Sequence, residues 1–187
     1  MKEEERANRA FAEIAIAGKM VKTGDLVTRT GNDFTSQGLR SLNQRDKTYS
    51  HCGIASWEKD TLFVYHALGG EFNPDQKIRR DLFVYFAEPY SNNGLGIFRY
   101  QLPDREIKNL LDTVRFLYDK GIPFDMAFDL KSDNRMYCAE FVYKSLIYGT
   151  EGRIHCATSH IGEFEFVGVD DLFLHPACKK IAAFLYK

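Results

Sequence analysis

The sequence predicts an α+β fold in which an antiparallel sheet or small barrel packs against helices. The clearest helix covers residues 104–120 and ends at Gly121, and one of its faces carries Ile107, Leu110, Leu111, Val114, Leu117 and Tyr118. The clearest strands cover 51–57 and 61–68, which are joined by a short polar turn. Hydrophobic residues make up 44% of the 187 residues, and no linker or repeat interrupts them. We therefore expect one domain over residues 1–187, with its core at about 20–187.

The other elements follow from helical spacing, strand-forming residues and turn signals. An amphipathic helix over residues 3–18 comes first and closes near Gly18. A strand follows at 24–29, and the polar residues 34–45 are compatible with a short helix. The remaining predictions are a strand region over 78–87, a turn at 91–94, a strand over 96–102, a helix over 137–148 that stops at Gly149, a short strand near 164–169 and a last segment over 181–186.

Charge and apolar patterning argue against a nucleic-acid partner and against a transmembrane segment. The net charge is −1 and no basic stripe stands out, so no nucleic-acid partner is expected. No apolar run is long enough for a transmembrane segment. The residues Met1–Arg6 are acidic and precede no apolar core, which is unlike a signal peptide. The compartment stays open between the cytoplasm and, if an export signal has been removed, the periplasm or cell envelope; the oligomeric state is not indicated.

The four cysteines do not have the spacing of a disulfide framework, and free thiols are expected at Cys52, Cys138, Cys156 and Cys178. A zinc site in the last part of the chain is a rival interpretation, because imidazoles and thiols are competent ligands. Its candidate ligands are His155, Cys156, His160, His175 and Cys178. Their spacing matches no strong zinc pattern, so we expect neither a metal nor another cofactor.

A cysteine at the start of a predicted helix and two histidines on neighbouring predicted strands indicate nucleophilic chemistry. The thiolate is the reactive form of cysteine, and unpaired N–H groups at a helix N-terminus favour that anion. We therefore predict Cys138 as the nucleophile, His51 as the group that holds and delivers the proton, and His66 as the group that orients the His51 ring. The backbone amide of Cys138 would bind the oxyanion of the intermediate.

The two histidines meet only if the strands pair in a suitable register. In an antiparallel hairpin, the residue numbers of two paired positions add up to a constant. A turn with an even number of residues makes that constant odd, like the sum of 51 and 66, so the side chains of His51 and His66 then lie on the same face. A pairing centred between Glu58 and Lys59 would set them directly opposite each other, with Cβ atoms roughly 5 Å apart. A turn with an odd number of residues and no bulge would separate the two rings.

Four short segments, taken in order, resemble the permuted papain-like cysteine amidases of the NlpC superfamily, the YiiX/YaeF group. They are Gly24-Asp25-Leu26, Ser50-His51-Cys52-Gly53-Ile54, Val64-Tyr65-His66-Ala67 and Tyr137-Cys138-Ala139-Glu140-Phe141-Val142. The resemblance covers about residues 20–150. It implies a papain-like fold with the nucleophile at a helix N-terminus. It also implies a bacterial hydrolase, a cysteine amidase or peptidase (thiol protease), which acts on amide or ester bonds and often on peptidoglycan-type peptides.

The resemblance assigns the nucleophile position to Cys138, the base to His51 and the third polar position to His66. That third position often carries glutamate in this group, an expected serine is replaced by Ala139, and an aliphatic residue is more usual at Cys52. Asp25, Tyr49, Ser50, Tyr137 and Glu140 are candidate substrate-binding residues. For four of them a structural role is the alternative: turn chemistry at Asp25, hydrogen bonding in the first helical turn at Glu140, and core packing for the two tyrosines.

Two further function classes remain open from the sequence. Lecithin:retinol acyltransferase-like proteins share the permutation and a second strand histidine, so a lipid acyltransferase or esterase is an alternative to a peptide amidase. A binding module that keeps a papain-like cleft without turnover is the other. The substrate is expected to be a small molecule or peptide with an amide or ester bond. Its identity depends on the loops at 31–49 and 69–77, whose shape the sequence does not give.

Overall fold

The computed structural model describes residues 2–70 and 72–187 and has an α+β architecture. The helices are α1 Lys2–Met20, α2 Phe34–Leu42, α3 Phe83–Ala87, α4 Asp104–Lys120, α5 Cys138–Gly149 and α6 Val169–Phe173. The strands are β1 Leu26–Gly31, β2 His51–Glu58, β3 Thr61–His66, β4 Arg79–Leu82, β5 Asn92–Tyr100, β6 Ser159–Ile161, β7 Phe164–Phe166 and β8 Cys178–Leu185. None of the helices in the described part of the chain has the length and apolar character needed to cross a membrane.

One antiparallel sheet of six strands, in the order β4-β3-β2-β1-β5-β8, organises the molecule. Because side chains alternate along each strand, the sheet buries a separate apolar cluster on each face. One cluster joins the sheet to α4 and α5 and contains Leu26, Ile54, Leu110, Phe141 and Leu146. The other joins it to α1 and α3 and contains Ile14, Val27, Ala55, Phe83 and Phe86. The short strands β6 and β7 form a separate hairpin.

The long periodic elements agree with the sequence prediction. α4 has the predicted bounds, and the residue after it, Gly121, adopts a left-handed conformation with φ of 69°. α5 begins one residue later than predicted and includes Gly149 as its last residue. α1 extends beyond Gly18 to Met20, because glycine lowers helix stability without preventing a helix that is packed along one face.

The prediction of a strand region over 78–87 is wrong in its second half. Residues 79–82 form β4, but Phe83–Ala87 form the helix α3. Aromatic and β-branched residues favour strands, yet Phe83, Phe86 and Ala87 have the helical spacing i, i+3, i+4 and all three are buried, with the phenylalanines in the cluster that includes α1. Tertiary packing therefore overrides local strand preference here.

The predicted turn at 91–94 is also displaced. The turn covers residues 89–91, and β5 already starts at Asn92. The buried Asn92 side chain donates a hydrogen bond from Nδ2 to the carbonyl oxygen of Glu88 at 2.8 Å, which closes the turn before the strand rather than within it. β6 and α6 were not predicted, since three and five residues are too few for a periodic pattern.

Candidate active site

The β2–β3 hairpin brings His51 and His66 together. Glu58 pairs with Thr61, so the turn consists of the two residues 59–60 and the residue numbers of paired positions add up to an odd number. Both imidazoles therefore leave the same face of the sheet. The pairing is shifted by one step from the directly opposed arrangement, because continuing the register places Gly53, rather than His51, opposite His66.

The glycine at position 53 is what allows the two rings to meet diagonally. A Cβ atom at Gly53 would lie 2.6 Å from the carbonyl oxygen of Tyr65 and 2.9 Å from Cβ of His66. With that space free, Nε2 of His51 lies 2.8 Å from Nδ1 of His66, and both side chains are almost completely buried. The rings are perpendicular, with centroids 5.0 Å apart.

A carboxylate on the next strand extends this pair. Asp81 lies on β4, diagonally across from His66, and its Oδ2 is 3.0 Å from Nε2 of His66. Burial by itself would raise the pKa of Asp81, but hydrogen bonds from His66 and Arg79 hold that pKa at about 2. Asp81 is therefore ionised at neutral pH and can only accept hydrogen bonds.

This acceptor fixes the protonation pattern of both neutral rings. His66 must carry its hydrogen on Nε2 to donate to Asp81, so its Nδ1 can only accept. His51 must then donate from Nε2, which leaves Nδ1 of His51 as an unprotonated nitrogen with a free lone pair. No hydrogen-bond partner occupies that nitrogen among residues 2–70 and 72–187. The arrangement thus directs the basic nitrogen of His51 away from His66.

Electrostatics keep both imidazoles uncharged at neutral pH. Burial lowers the pKa of His51 well below 6.5, and the positive charge of Arg29 acts in the same direction. Burial also lowers the pKa of His66, to about 4, although the hydrogen bond to Asp81 partly opposes that shift. His51 is consequently a neutral group that can accept a proton at neutral pH.

Cys138 is the first residue of α5 and lies beside the start of β2. The neighbouring Cys52 thiol lowers the pKa of Cys138 below its ordinary value, against the opposing effect of burial. The backbone of Cys52 and of Ala139 acts on that pKa in the same direction. Cys52 leaves the face of β2 that packs against α5, whereas the His51 side chain leaves the other face and packs on Phe86. Among the described residues, Cys138 and His51 form no hydrogen bond with each other.

The first turn of α5 is itself fixed by a buried carboxylate. Oε2 of Glu140 accepts a hydrogen bond from the backbone N–H of Tyr137 at 3.2 Å. Burial raises the pKa of Glu140 to about 7, while its ion pair with Lys144 opposes the shift. These contacts hold the helix start, and with it Cys138, in place.

Two adjacent cavities give access to the site. One, of about 280 Å³, is lined by His51, Arg29, Ser50 and residues of the loop after β3, including Gly69 and Phe72. A much smaller one, of about 20 Å³, is lined by Cys138 and mainly apolar side chains. Both share Leu39 and Ser50 as lining residues, so the histidine and the cysteine border neighbouring parts of the same surface.

The candidate substrate-binding residues have structural partners. Asp25 is buried, receives a bidentate hydrogen bond from Arg99 at 2.7 Å, and lines a different cavity at the other end of β1. Tyr49 is buried against two phenylalanine rings, and the Tyr137 hydroxyl accepts a hydrogen bond from the Val167 backbone. Of the five candidates, Ser50 lines both cavities at the site, and its hydroxyl accepts a hydrogen bond from the Gly31 backbone.

Three residues of this site were missed by sequence reasoning. Asp81 lies in a segment with a recognisable strand pattern, so an acidic residue there was a usable signal, but its register against β3 was not available. Arg29 carries no local signal, since only the β1–β2 pairing places it opposite His51. Cys52 was interpreted as a packing residue, and it is buried in the same apolar cluster as Cys138, but its thiol also lowers the pKa of Cys138.

The rival zinc site gains no support from the arrangement of its candidate ligands. His155 is 3.0 Å from the Tyr143 hydroxyl, and the Cys156 sulfur is 3.5 Å from the Tyr100 hydroxyl. Within the described ranges, no group of three or more His, Cys, Asp or Glu side chains is placed to hold a metal ion.

Comparison with known proteins gives a fold relationship. No protein-family model matches the chain, and no curated protein sequence matches it. Among solved structures, the chain is similar to the crystal structure of the metalloprotein YiiX from Escherichia coli O157:H7, DUF1105. The TM-score is 0.72 at 18% sequence identity, over 89% of this chain and 99% of that one. The molecule therefore has an α+β, YiiX-like fold, in which the antiparallel sheet packs against helices.

Proposed function

We propose that this protein is a cysteine hydrolase that cleaves amide bonds in small peptides, of which cell-wall-type peptides are one class. Cys138 is the nucleophile, His51 the general base and acid, and His66 and Asp81 position His51. The observation that carries the proposal is the hydrogen-bonded chain Asp81–His66–His51, which leaves Nδ1 of His51 free. His51 and Cys138 line adjacent cavities that share Leu39 and Ser50.

The reaction follows from these groups. The Cys138 thiol transfers its proton to Nδ1 of His51, and the thiolate attacks the carbonyl carbon of the substrate. The backbone N–H of Cys138, at the N-terminus of α5, stabilises the developing oxyanion. When the intermediate collapses, the imidazolium of His51 donates its proton to the leaving amine and a thioester remains on Cys138. Water then attacks the thioester, with His51 accepting a proton from it, and the thiol is regenerated.

The chain offers three internal reference thiols for a test of this proposal. Alkylation by iodoacetamide, located by peptide mass spectrometry, is expected to be fastest at Cys138, because its pKa is lowered while that of Cys178 is raised to about 12 by burial. His51→Ala is expected to slow alkylation at Cys138 and leave the other three thiols unchanged. Equal and slow reaction at all four thiols would favour a binding module without turnover.

Turnover is tested with a panel of aminoacyl and dipeptidyl p-nitroanilides. The wild-type protein is expected to release p-nitroaniline from some of them, and Cys138→Ala is expected to abolish the release while retaining the fold. A Cys138→Ala variant with wild-type activity would refute the assignment of the nucleophile. The matched control is Cys178→Ala, which removes a thiol at the start of β8 and is expected to retain activity.

Transfer of an acyl group is the second candidate, and one observation favours it. The small cavity at Cys138 is lined by the apolar side chains Leu39, Leu42, Phe128 and Phe166, so its walls favour an apolar acyl group, but its volume of about 20 Å³ must widen before an acyl chain fits. The two candidates differ in the group that accepts the acyl chain from the thioester. Offering a phospholipid ester and a peptide amide to the same preparation, and identifying the product, distinguishes them.

A further inference from the structure

Arg29 is a charged residue of the site to which the proposed mechanism gives no role. It lies on β1 directly opposite His51 in the antiparallel pairing, so both side chains leave the same face of the sheet. It also lines the larger cavity together with His51 and Ser50. Its positive charge acts on the Cys138 sulfur, since it is one of the influences that lower the pKa of that thiol. Arg29 therefore borders the base, and its cavity adjoins the one lined by Cys138 through the shared residues Leu39 and Ser50.

One end of the Arg29 guanidinium is held firmly. Nη1 donates a hydrogen bond to the carbonyl oxygen of Phe86 at 2.9 Å, and the guanidinium carbon lies 4.9 Å from the centre of the Phe86 ring. Phe86 is completely buried and also packs against His51 and His66, with ring centroids 5.8 Å and 5.2 Å apart. The orientation of Arg29 is thus fixed by the same ring that supports the two histidines.

The remaining N–H groups of Arg29 have no acceptor among residues 2–70 and 72–187, and no carboxylate in those ranges forms an ion pair with it. Other arginines of the fold do have such partners: Arg99 pairs with the buried Asp25, and Arg153 with Glu106. Arg29 is mostly buried, and burial lowers its pKa. A mostly buried guanidinium that borders a cavity with free donors is suited to an anion that enters from solution.

We propose that Arg29 binds a carboxylate of the substrate, so that the preferred acyl substrate carries a carboxylate close to the scissile carbonyl. This inference rests on the proposed function, because it assumes that the substrate reacts at Cys138. The planar fork of a guanidinium matches a carboxylate with two parallel hydrogen bonds, which adds orientation as well as affinity. Arg29 is then a specificity-determining residue of the larger cavity.

Two alkylating agents of nearly the same size test this inference without knowledge of the natural substrate. Iodoacetate carries a carboxylate where iodoacetamide carries a neutral amide, and both react with the thiolate. The ratio of their second-order rate constants at Cys138 cancels the thiolate fraction, so an effect of Arg29 on the pKa of Cys138 does not enter the ratio. The reference is the same ratio for the neutral free thiol N-acetylcysteinamide.

In the wild-type protein, the ratio of the iodoacetate rate constant to the iodoacetamide rate constant at Cys138 is expected to exceed the same ratio for the free thiol by about tenfold. A charge-assisted hydrogen bond allows an effect of this size. Arg29→Gln is expected to return the ratio to the reference value. Arg105→Gln, which removes the same charge from the exposed surface of α4, is the matched control and is expected to leave the ratio unchanged.

A wild-type ratio at or below the reference, or a ratio that Arg29→Gln does not alter, would overturn the inference. The wild-type comparison needs no variant, so it decides the question even if Arg29→Gln does not fold. If Arg29→Gln lowers the alkylation rate constants of both reagents equally, the ratio is unaltered and Arg29 acts only as an electrostatic partner of the thiolate, which also overturns the inference. Failure of the proposed function gives a different result, namely slow alkylation of Cys138 by the neutral iodoacetamide itself.

Discussion

At the scale of single residues, the site depends on which nitrogen of each imidazole carries a hydrogen. An ionised Asp81 can only accept hydrogen bonds, so His66 must donate to it from Nε2, at 3.0 Å. Nδ1 of His66 then accepts a hydrogen bond from Nε2 of His51, at 2.8 Å. In the proposed mechanism, the role of Asp81 is therefore to select one tautomer of His51 through His66, without contact with the substrate.

Asp81→Asn is expected to reduce the rate of iodoacetamide alkylation at Cys138 about 100-fold with little change in stability. An asparagine amide donates as well as accepts, so it also permits the tautomer of His51 that carries its hydrogen on Nδ1. The measurement is the alkylation rate as a function of pH. Asp75→Asn, which changes an exposed carboxylate paired with Arg135, is the control. Unchanged alkylation in Asp81→Asn would contradict the positioning role.

The sequence allowed part of this residue-level arrangement to be predicted. The parity of the hairpin turn predicted that His51 and His66 share a face, and a two-residue turn places them so. The diagonal pairing was not predictable, because the register depends on how Gly53 admits the His66 side chain. Asp81 and Arg29 depend on pairing between strands that are distant in the chain or poorly patterned, and no local signal encodes that pairing.

At the scale of elements, the position of α5 matters most, because its first residue is Cys138. The helix crosses α4 very closely at its other end. A Cβ atom at Gly149 would lie 2.6 Å from Cα of Leu110 and 2.8 Å from its backbone nitrogen. Backbone on backbone contact of this kind leaves no side chain to move aside. Gly149 was predicted as a helix stop, but its structural reason is this contact between helices.

Gly149→Ala is expected to lower the free energy of unfolding by about 1–3 kcal/mol, since overpacking forces the two helices apart. The matched control is Gly38→Ala in α2, where an added Cβ meets no atom within 4 Å. There alanine is expected to be neutral or to stabilise by up to about 1 kcal/mol. Urea denaturation of both variants gives the comparison, and equal effects of the two substitutions would refute the crowding argument.

Long elements with a regular apolar pattern were the ones that could be predicted. α4 shows a clear apolar face over 17 residues, and its bounds agree with the prediction. α3 has only five residues, and the strand preference of Phe83–Phe86 outweighed its helical spacing at the sequence level. Short elements follow the packing of their surroundings, which becomes available only with the complete fold.

At the scale of the whole molecule, two buried neutral histidines make the fold sensitive to acid. The pKa of His66 is about 4 in the folded protein and 6.5 in an unfolded chain. Between these values the unfolded chain binds a proton that the folded chain does not, so the free energy of unfolding decreases as the pH falls from about 6.5 to about 4. His51 contributes in the same direction. Glu140 opposes them, since its folded pKa is raised to about 7.

The contribution of His66 is isolated by comparison with a variant. The slope of the free energy of unfolding against pH is measured by urea denaturation between pH 4 and 6.5. It is expected to be smaller in His66→Gln, by up to the amount that corresponds to about one proton bound on unfolding. His160→Gln, at an exposed position of β6, is the control and is expected to keep the wild-type slope. Identical slopes in wild type and His66→Gln would mean that His66 is not buried in its neutral form.

The central claim is that His51 activates the Cys138 sulfur for attack on a carbonyl carbon, and formation of an acyl-enzyme tests it most directly. The measurement is mass spectrometry of the protein after a short exposure to p-nitrophenyl acetate. We predict one acetyl group per molecule, located on Cys138, formed much more slowly in His51→Ala and absent at that position in Cys138→Ala. Acetylation spread over other residues, or acetylation of Cys138 at the same rate with and without His51, would contradict the account.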